Sequence, residues 1–354
     1  MKKNKVLIIG PNFKNKGGIS RVSQKYKDNG LFDDKIQFLS SYCDGNIFDH
    51  LVEFLVCIFK LLYSILTNGN LKIIHVTAAT HGSFLRKSII ILLSKLFGKK
   101  TVIHIRGGGF NIFYDNNSSF TKKAISFILN QTDIVLVLSE RWKEFIGNIT
   151  SNKNLKILYN PVVIRDINPE STNENIINVL FMGRIGERKG AYDIIEAAKH
   201  IKNENIKIDL YGDGENNKFK KLIKEQNLEN IISINDWITG EQVDKAYTNA
   251  AIFILPTYRE GLPNSVIEAI SYGLPVISTP VDGIPEIVED EVNGFLIQPG
   301  DYKALAEKID LLADSKELRE KMGKESYRIA KEKFDIKIIL KQMRNLYDEM
   351  LNQL

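Results

Sequence analysis

The chain has 354 residues, of which 44% are hydrophobic and 26% charged, a length that suits two domains and a composition that excludes collagenous and disordered classes. Only two cysteines, Cys43 and Cys57, are present, so neither a disulfide framework nor a four-thiolate zinc site is available, and a reducing cytoplasm is the expected setting. The net charge of +5 hides an asymmetry: residues 1–165 hold 24 Lys and Arg against 10 Asp and Glu, a net +14, whereas residues 166–354 hold 24 against 33, a net −9. A half this basic suits nucleic acid, an anionic membrane face or a phosphorylated acceptor, or it is a solubilising lysine surface, and charge alone does not choose among them.

The basic start, Met1-Lys2-Lys3-Asn4-Lys5, is followed by only four apolar residues, too few for a signal-peptide core, and residues 6–9 read as a first strand. A long apolar helix follows over residues 51–66, but it contains Glu53 and Lys60 and falls short of the roughly 20 apolar residues a spanning helix needs. Its apolar positions almost encircle it, which makes it a buried helix first and a membrane-surface helix second. Strands at 73–76, 101–105, 134–138 and 157–158 alternate with helices such as 84–96 and 119–130. Pro161, Pro169 and the polar run 170–175 then interrupt the rhythm and mark a domain join near 160–175. Beyond it, strands at 179–182, 207–211, 231–234, 251–255, 275–278 and 295–297 alternate with helices near 191–201, 216–225 and 263–272. This pattern predicts an α/β protein of two Rossmann-like doubly wound domains, 1–165 and 166–334, with a helix at about 335–354 packing back on the first. Ligand is expected in a deep cleft between them, outside the carboxyl ends of the strands.

The most informative stretch runs from Pro256 through Arg259-Glu260-Gly261-Leu262-Pro263-Asn264-Ser265 to Glu268. A buried strand breaks into a Gly/Pro turn and restarts as a helix with Pro263 at its first position, so amides around Asn264, Ser265 and Val266 would face an anion. Glu260 in the loop and Glu268 about a turn into the helix can address different parts of one elongated ligand, and carboxylates accept paired sugar hydroxyls well. Taken alone, such a pair is more often a capping glutamate and a surface glutamate. A second cluster shifts that balance: Gly183-Arg184-Ile185-Gly186-Glu187-Arg188-Lys189-Gly190 follows strand 179–182. Gly183 and Gly186 permit close backbone approach, while Arg184 and Lys189 supply cations suited to a departing diphosphate. By itself this turn is more often a solvated loop.

Gly183-Arg184 with Lys189-Gly190, Gly212-Asp213-Gly214, the Glu260/Glu268 pair, Gly273-Leu274-Pro275, Gly283-Ile284-Pro285-Glu286 and Gly294-Phe295-Leu296 occur together in that order. Over about 176–335 the chain thereby resembles the retaining glycosyltransferases of family 4, of bacterial surface-polysaccharide type, which have the GT-B fold. The first half, from Gly17-Gly18-Ile19 and residues 101–110, is more loosely similar to that family's acceptor domain. The resemblance implies that Arg184 and Lys189 hold the donor diphosphate beside Gly183, that Glu268 takes the ribose hydroxyls and Glu260 those of the donor sugar, and that Leu262, Pro263, Asn264 and Ser265 seat sugar and phosphate. Gly17 and Gly18 would close over the diphosphate from the other domain. A dinucleotide loop over 10–18 is the weaker alternative, since the G-x-G-x-x-G spacing is missing.

Where the family often has His-x-His-Gly, this chain has His104-Ile105-Arg106-Gly107. Arg106 cannot act as a base near neutrality but would hold a phosphate or carboxylate, and His104 is either a group at the reaction centre or a structural histidine. His50, His75 and His81 have no metal-ligand spacing and no Asp-x-Asp motif occurs, so neither metal nor cofactor is expected. The resemblance thus implies metal-independent transfer of a sugar from a nucleotide diphosphate to an acceptor hydroxyl. The implied acceptor is a lipid-linked glycan at the inner face of the cytoplasmic membrane, with an anionic membrane surface as partner and no nucleic acid. A nucleotide-sugar epimerase on the same scaffold and an inactive donor-binding subunit are the rival readings.

Overall fold

The computed structural model describes residues 4–165 and 176–353, so Pro169 and the polar run 170–175 of the predicted join lie outside the described residues. The chain divides into two compact units, Met1–Pro161 with Ile336–Leu354, and Val162–Asp335. Unit 1 contains β1 (Val6–Gly10), α1 (Gly18–Asp28), β2 (Ile36–Ser40), α2 (Ile47–Thr67), β3 (Ile73–Ala78), α3 (His81–Leu96) and β4 (Lys100–Ile105). It continues through α4 (Phe110–Asp115), α5 (Ser119–Gln131), β5 (Ile134–Val137), α6 (Glu140–Ile149) and β6 (Leu155–Ile157). All the pairings are parallel, in the order β2-β1-β3-β4-β5-β6. The runs VLIIG and IIHVTA are buried at every position, as befits central parallel strands covered on both faces.

On one side of this sheet α2, α3 and α5 close a single core, with Cys57, Leu61 and Ile65, then Phe84, Ile90 and Ile91, then Ile125 and Leu129 packed over Ile74, Val76 and Ile103. Truncating one of these side chains, such as Leu61→Ala, would cost about 2–5 kcal/mol through lost transfer energy and the cavity left behind. The buried reading of residues 51–66 is corrected here. A capping box of Asn46 and Asp49 starts α2, and only its Cys57–Leu61–Ile65 stripe is buried, while Phe48, Leu55, Phe59 and Leu66 point outward. The sheet offers the helix one layer to pack on, and among the described residues nothing covers the remaining apolar circumference.

Unit 2 contains β7 (Ile177–Met182), a 3-10 turn (Glu187–Lys189), α7 (Ala191–Ala198), β8 (Ile206–Tyr211), α8 (Asn216–Glu225), β9 (Ile232–Asn235) and α9 (Glu241–Thr248). It goes on through β10 (Ile252–Leu255), α10 (Asn264–Ser271), β11 (Val276–Ser278), β12 (Gly294–Leu296), α11 (Tyr302–Asp314) and α12 (Lys316–Ile329). Its parallel order is β12-β11-β10-β7-β8-β9. The last helix, α13 (Ile336–Asn352), belongs to unit 1, where Ile339, Met343, Leu346, Tyr347 and Met350 are buried at helical spacing. The Tyr347 hydroxyl lies 2.6 Å from His75 Nδ1 on β3.

Each sheet reverses its strand order once at a place that matters. In unit 1 the reversal lies between β1 and β3, and in unit 2 between β7 and β10. Helices leave opposite faces of the sheet at such a point, which opens a crevice beyond the strand ends where ligands bind. Pro263 sits one residue before its predicted place, at the position just ahead of α10 rather than in its first turn. The last strand of unit 1 is Leu155–Ile157 rather than residues 157–158.

Candidate active site

The two motif clusters of unit 2 meet at the β7/β10 reversal. Gly183 to Lys189 leave the end of β7, and Pro256 to Pro263 leave the end of β10. Gly190 makes this approach possible, since a Cβ there, at φ 74°, would collide with the Pro256 carbonyl, and Gly212 after β8 likewise packs its backbone on the Gly183 carbonyl. The loops are tied together by Tyr258 N–H donating to the Arg188 carbonyl (3.0 Å) and the Thr257 hydroxyl donating to the same oxygen (3.0 Å).

Within this frame Lys189 Nζ pairs with Glu260 Oε1, and their side chains are only 12% and 11% exposed. Arg188 Nη1 lies 3.8 Å from the same carboxylate oxygen and donates to the Arg259 carbonyl at 2.9 Å. Asp282 fixes Glu260 from behind by accepting its backbone N–H at 2.8 Å. Burial, and then the Arg188 guanidinium, push the Lys189 ammonium down to about 7. Burial with Arg259 and Arg184 nearby pulls Arg188 down as well. Arg184 is itself exposed at the rim. One carboxylate therefore faces several cations, and the cluster retains a surplus of positive charge that a polyanion would neutralise.

The anion-attracting character extends into α10. No side chain caps this helix, and its first-turn amides have no acceptor within the helix, so the positive end of its dipole faces the same loops. Leu262, Pro263 and Asn264 lead into that turn. Glu268, buried one turn further on, accepts from the Tyr247 hydroxyl of α9 at 3.3 Å. Tyr247 is held in turn by stacking on Tyr272, with ring centroids 5.1 Å apart, which fixes the direction of the Glu268 carboxylate. Arg188, Tyr247 and Asp282 carry no motif signal. Arg188 stands inside the quoted Gly-rich cluster, but Tyr247 and Asp282 reach the site only through tertiary packing.

In unit 1, Gly17 and Gly18 open α1 at the β1/β3 reversal and line a cavity of about 510 Å³ with Lys16, Tyr42, Thr77, Ser83 and Arg86. Gly17 has φ 136°, a conformation that L side chains rarely adopt. Arg86 stacks over Tyr42, 5.0 Å from its ring. His104 and Arg106 do share a side of the sheet, but that side is covered. His104 is fully buried with its ring 5.9 Å from that of His75, and burial followed by the Arg106 charge holds it neutral, well below the usual histidine range. Arg106 is buried too, bonded through Nη2 to Asn160 Oδ1 with its guanidinium 5.8 Å from the Tyr26 ring. The His104 ring is enclosed in unit 1, and neither of its nitrogens has a hydrogen-bond partner among the described residues. Among the described residues no cluster of three or more His, Cys, Asp or Glu side chains could hold a metal ion.

Residues 163–329, which contain the whole β7/β10 site, match the family described as glycosyl transferases group 1. Over 189 residues the chain is 32% identical to the capsular polysaccharide biosynthesis glycosyltransferase CapM of Staphylococcus aureus, covering 51% of this chain and 48% of CapM. The chain thus spans about half the length of that relative. The fold is that of HepE from Anabaena, solved in complex with UDP (TM-score 0.77, 18% identity, 99% of this chain and 100% of HepE). It is equally that of sucrose-phosphate synthase from Thermosynechococcus elongatus (TM-score 0.79, 17% identity, 99% and 100%). The architecture is therefore GT-B, two Rossmann-like domains in one chain, and its second domain carries the group 1 match.

Proposed function

We propose that the protein is a retaining glycosyltransferase of family 4 that moves a sugar from a nucleoside diphosphate to an acceptor hydroxyl on a lipid-linked glycan. The observation that carries this reading is the meeting of Arg188 and Lys189 with Glu260 beside the uncapped start of α10 at the β7/β10 reversal, with Arg184 close to Arg188 at the rim. A diphosphate entering there competes with Glu260 for Lys189 and takes the first-turn amides of α10, which frees Glu260 to accept sugar hydroxyls while Glu268 accepts those of the ribose. In transfer, the bond between the anomeric carbon and the phosphate oxygen breaks, the acceptor oxygen bonds to that carbon on the same face, and the acceptor proton passes to the departing phosphate. Negative charge grows on the diphosphate during this step, so the fixed cations stabilise the transition state more than the bound donor. No metal takes part in this scheme.

The polysaccharide pathways named for relatives such as CapM support a glycan acceptor. The net +14 of residues 1–165 supports one that carries phosphate at the inner face of the cytoplasmic membrane. In this reading the unit 1 cavity takes the acceptor on its Arg86 and Tyr42 side, while Gly17 and Gly18 keep the role toward the diphosphate that the resemblance implies. The test is a product assay with purified protein, a panel of nucleotide sugars and lipid-linked acceptors, with anomeric configuration read by NMR. Acceptor-dependent release of nucleoside diphosphate with retained configuration is expected. Conversion of donor without acceptor would make the protein an epimerase, and binding without either reaction would make it an inactive subunit.

A further inference from the structure

The outer surface of α2, α3 and α5 is built for something other than water. Along α2, Phe48, Leu55, Phe59, Tyr63 and Leu66 recur at helical spacing on the side opposite the buried Cys57–Leu61–Ile65 stripe, and Phe48 and Phe59 are 71% and 72% exposed. Along α3, Leu85, Ile89, Leu92 and Leu96 form a second outward stripe at the same kind of spacing, with Leu96 78% exposed. Phe120 and Phe127, two turns apart on α5, add a third. Because the inner faces of all three helices enter one core, their outer stripes share one side of the unit 1 sheet. Soluble monomers rarely expose so much contiguous apolar surface unless it meets a partner.

Length alone would let α2 cross a bilayer. Its connections forbid it: the helix runs from β2 to β3, both of which pair with β1, so its two ends return to one sheet and it lies along a surface. Exposed Lys60 and Lys123 stand on the same helices as the aromatic residues, in a half of the chain with a net charge of +14. A second copy of this face would bring like charge against like charge, whereas an anionic bilayer offers both apolar depth and opposite charge.

We infer that the outward stripes of α2, α3 and α5 seat unit 1 in the headgroup region of an anionic membrane, with the aromatic side chains inserted and the lysines on lipid phosphates. This deepens the lipid-linked acceptor reading by assigning the surface that meets the lipid, yet its evidence is independent of the donor site. The test is flotation of the full chain with phosphatidylcholine vesicles, with and without phosphatidylglycerol. Binding to the anionic vesicles is expected, part of it surviving raised salt because insertion is not screened. The double variant Phe48→Asp with Phe59→Asp should lose at least about tenfold in binding at unchanged melting temperature, and Lys60→Glu with Lys123→Glu should lose binding only at low salt. No flotation of the natural chain, or equal flotation of the Phe48→Asp/Phe59→Asp variant, overturns the inference. A dimer by light scattering that the same double variant dissociates, without vesicle binding, overturns it in favour of a second copy. Thermal stabilisation by UDP, measured on each variant, reads the donor site separately, so failure of either idea is visible without the other.

Discussion

Among the described residues each unit holds one lysine that burial pushes down to about 7, Lys189 in unit 2 and Lys87 in unit 1, and the two have opposite surroundings. Lys189 faces the Glu260 carboxylate, two flanking arginines and an uncapped helix at a strand-order reversal. Lys87 is sealed inside unit 1, where its ammonium meets the Ser41 hydroxyl and has Cys57 nearby. Desolvation is common to both, so a displaced pKa does not by itself mark a site. What separates them is whether an anion can reach the cation and find other donors already aimed at the same place.

The largest effect expected from this contrast is on Lys189. Lys189→Ala should lower kcat by about 10²- to 10³-fold with a smaller change in donor KM, as for removal of one fixed donor to developing charge. Combining it with Arg184→Ala should give less than the product of the two losses, because both cations serve one leaving group. Additive losses in steady-state kinetics would place them on different groups. Glu268→Ala acts on binding: loss of charge-assisted hydroxyl contacts at about 1.5–3 kcal/mol each should weaken the donor about tenfold or more, measured by calorimetry. Unchanged affinity would remove Glu268 from the ribose role.

The pH dependence follows from the direction of the Lys189 shift. Below about 7 the ammonium is charged before donor arrives, whereas above it binding must take up a proton, so donor affinity should fall by up to about tenfold per unit as pH rises. Lys189→Arg keeps its charge throughout and should flatten that profile, and a slope that persists in Lys189→Arg would assign the titration elsewhere. For Lys87 the sign concerns stability. The unfolded chain keeps this proton to its ordinary 10.5 and the folded chain gives it up near 7, so between those values the unfolded state binds more protons and stability rises with pH. Lys87→Met should remove that rise and stabilise most at pH 7 and below, by about 1 kcal/mol or more, since burying a charge costs more than filling the space with an apolar group. A lower melting temperature in Lys87→Met at pH 7 would show that the ammonium is needed where it stands. The smallest expected effect is a null one: Arg86→Ala, beside Gly17 and Gly18, should leave affinity for the donor's nucleoside diphosphate within about twofold while weakening a phosphorylated acceptor.

The two units also differ in how much of them could be read from residues. Unit 2 follows its motifs closely, because backbone crowding around the end of β7 dictates Gly190 and Gly212 and leaves a local signature. In unit 1 the alternation of β3, α3 and β4 is plain, but β2 (IQFLS) is a short, half-exposed edge strand with no strong periodicity. The fate of α2 was equally hidden. Its apolar residues almost encircle it, and only the single layer of core beneath shows which third is inside. His104 and Arg106 sit where a family motif is altered, yet whether they face ligand or core depends on α1 and α13, and α13 arrives from the far end of the chain.

Titration calorimetry of the nucleoside diphosphate that the donor panel selects, against the natural chain, Glu268→Ala in unit 2 and Arg86→Ala in unit 1, tests the central claim most directly, because it asks which strand-order reversal holds the donor. The account predicts a one-to-one complex with the natural chain, an unchanged complex with Arg86→Ala, and affinity weakened about tenfold or more in Glu268→Ala. Loss of binding in Arg86→Ala with full affinity in Glu268→Ala would move the nucleotide to unit 1 and contradict it.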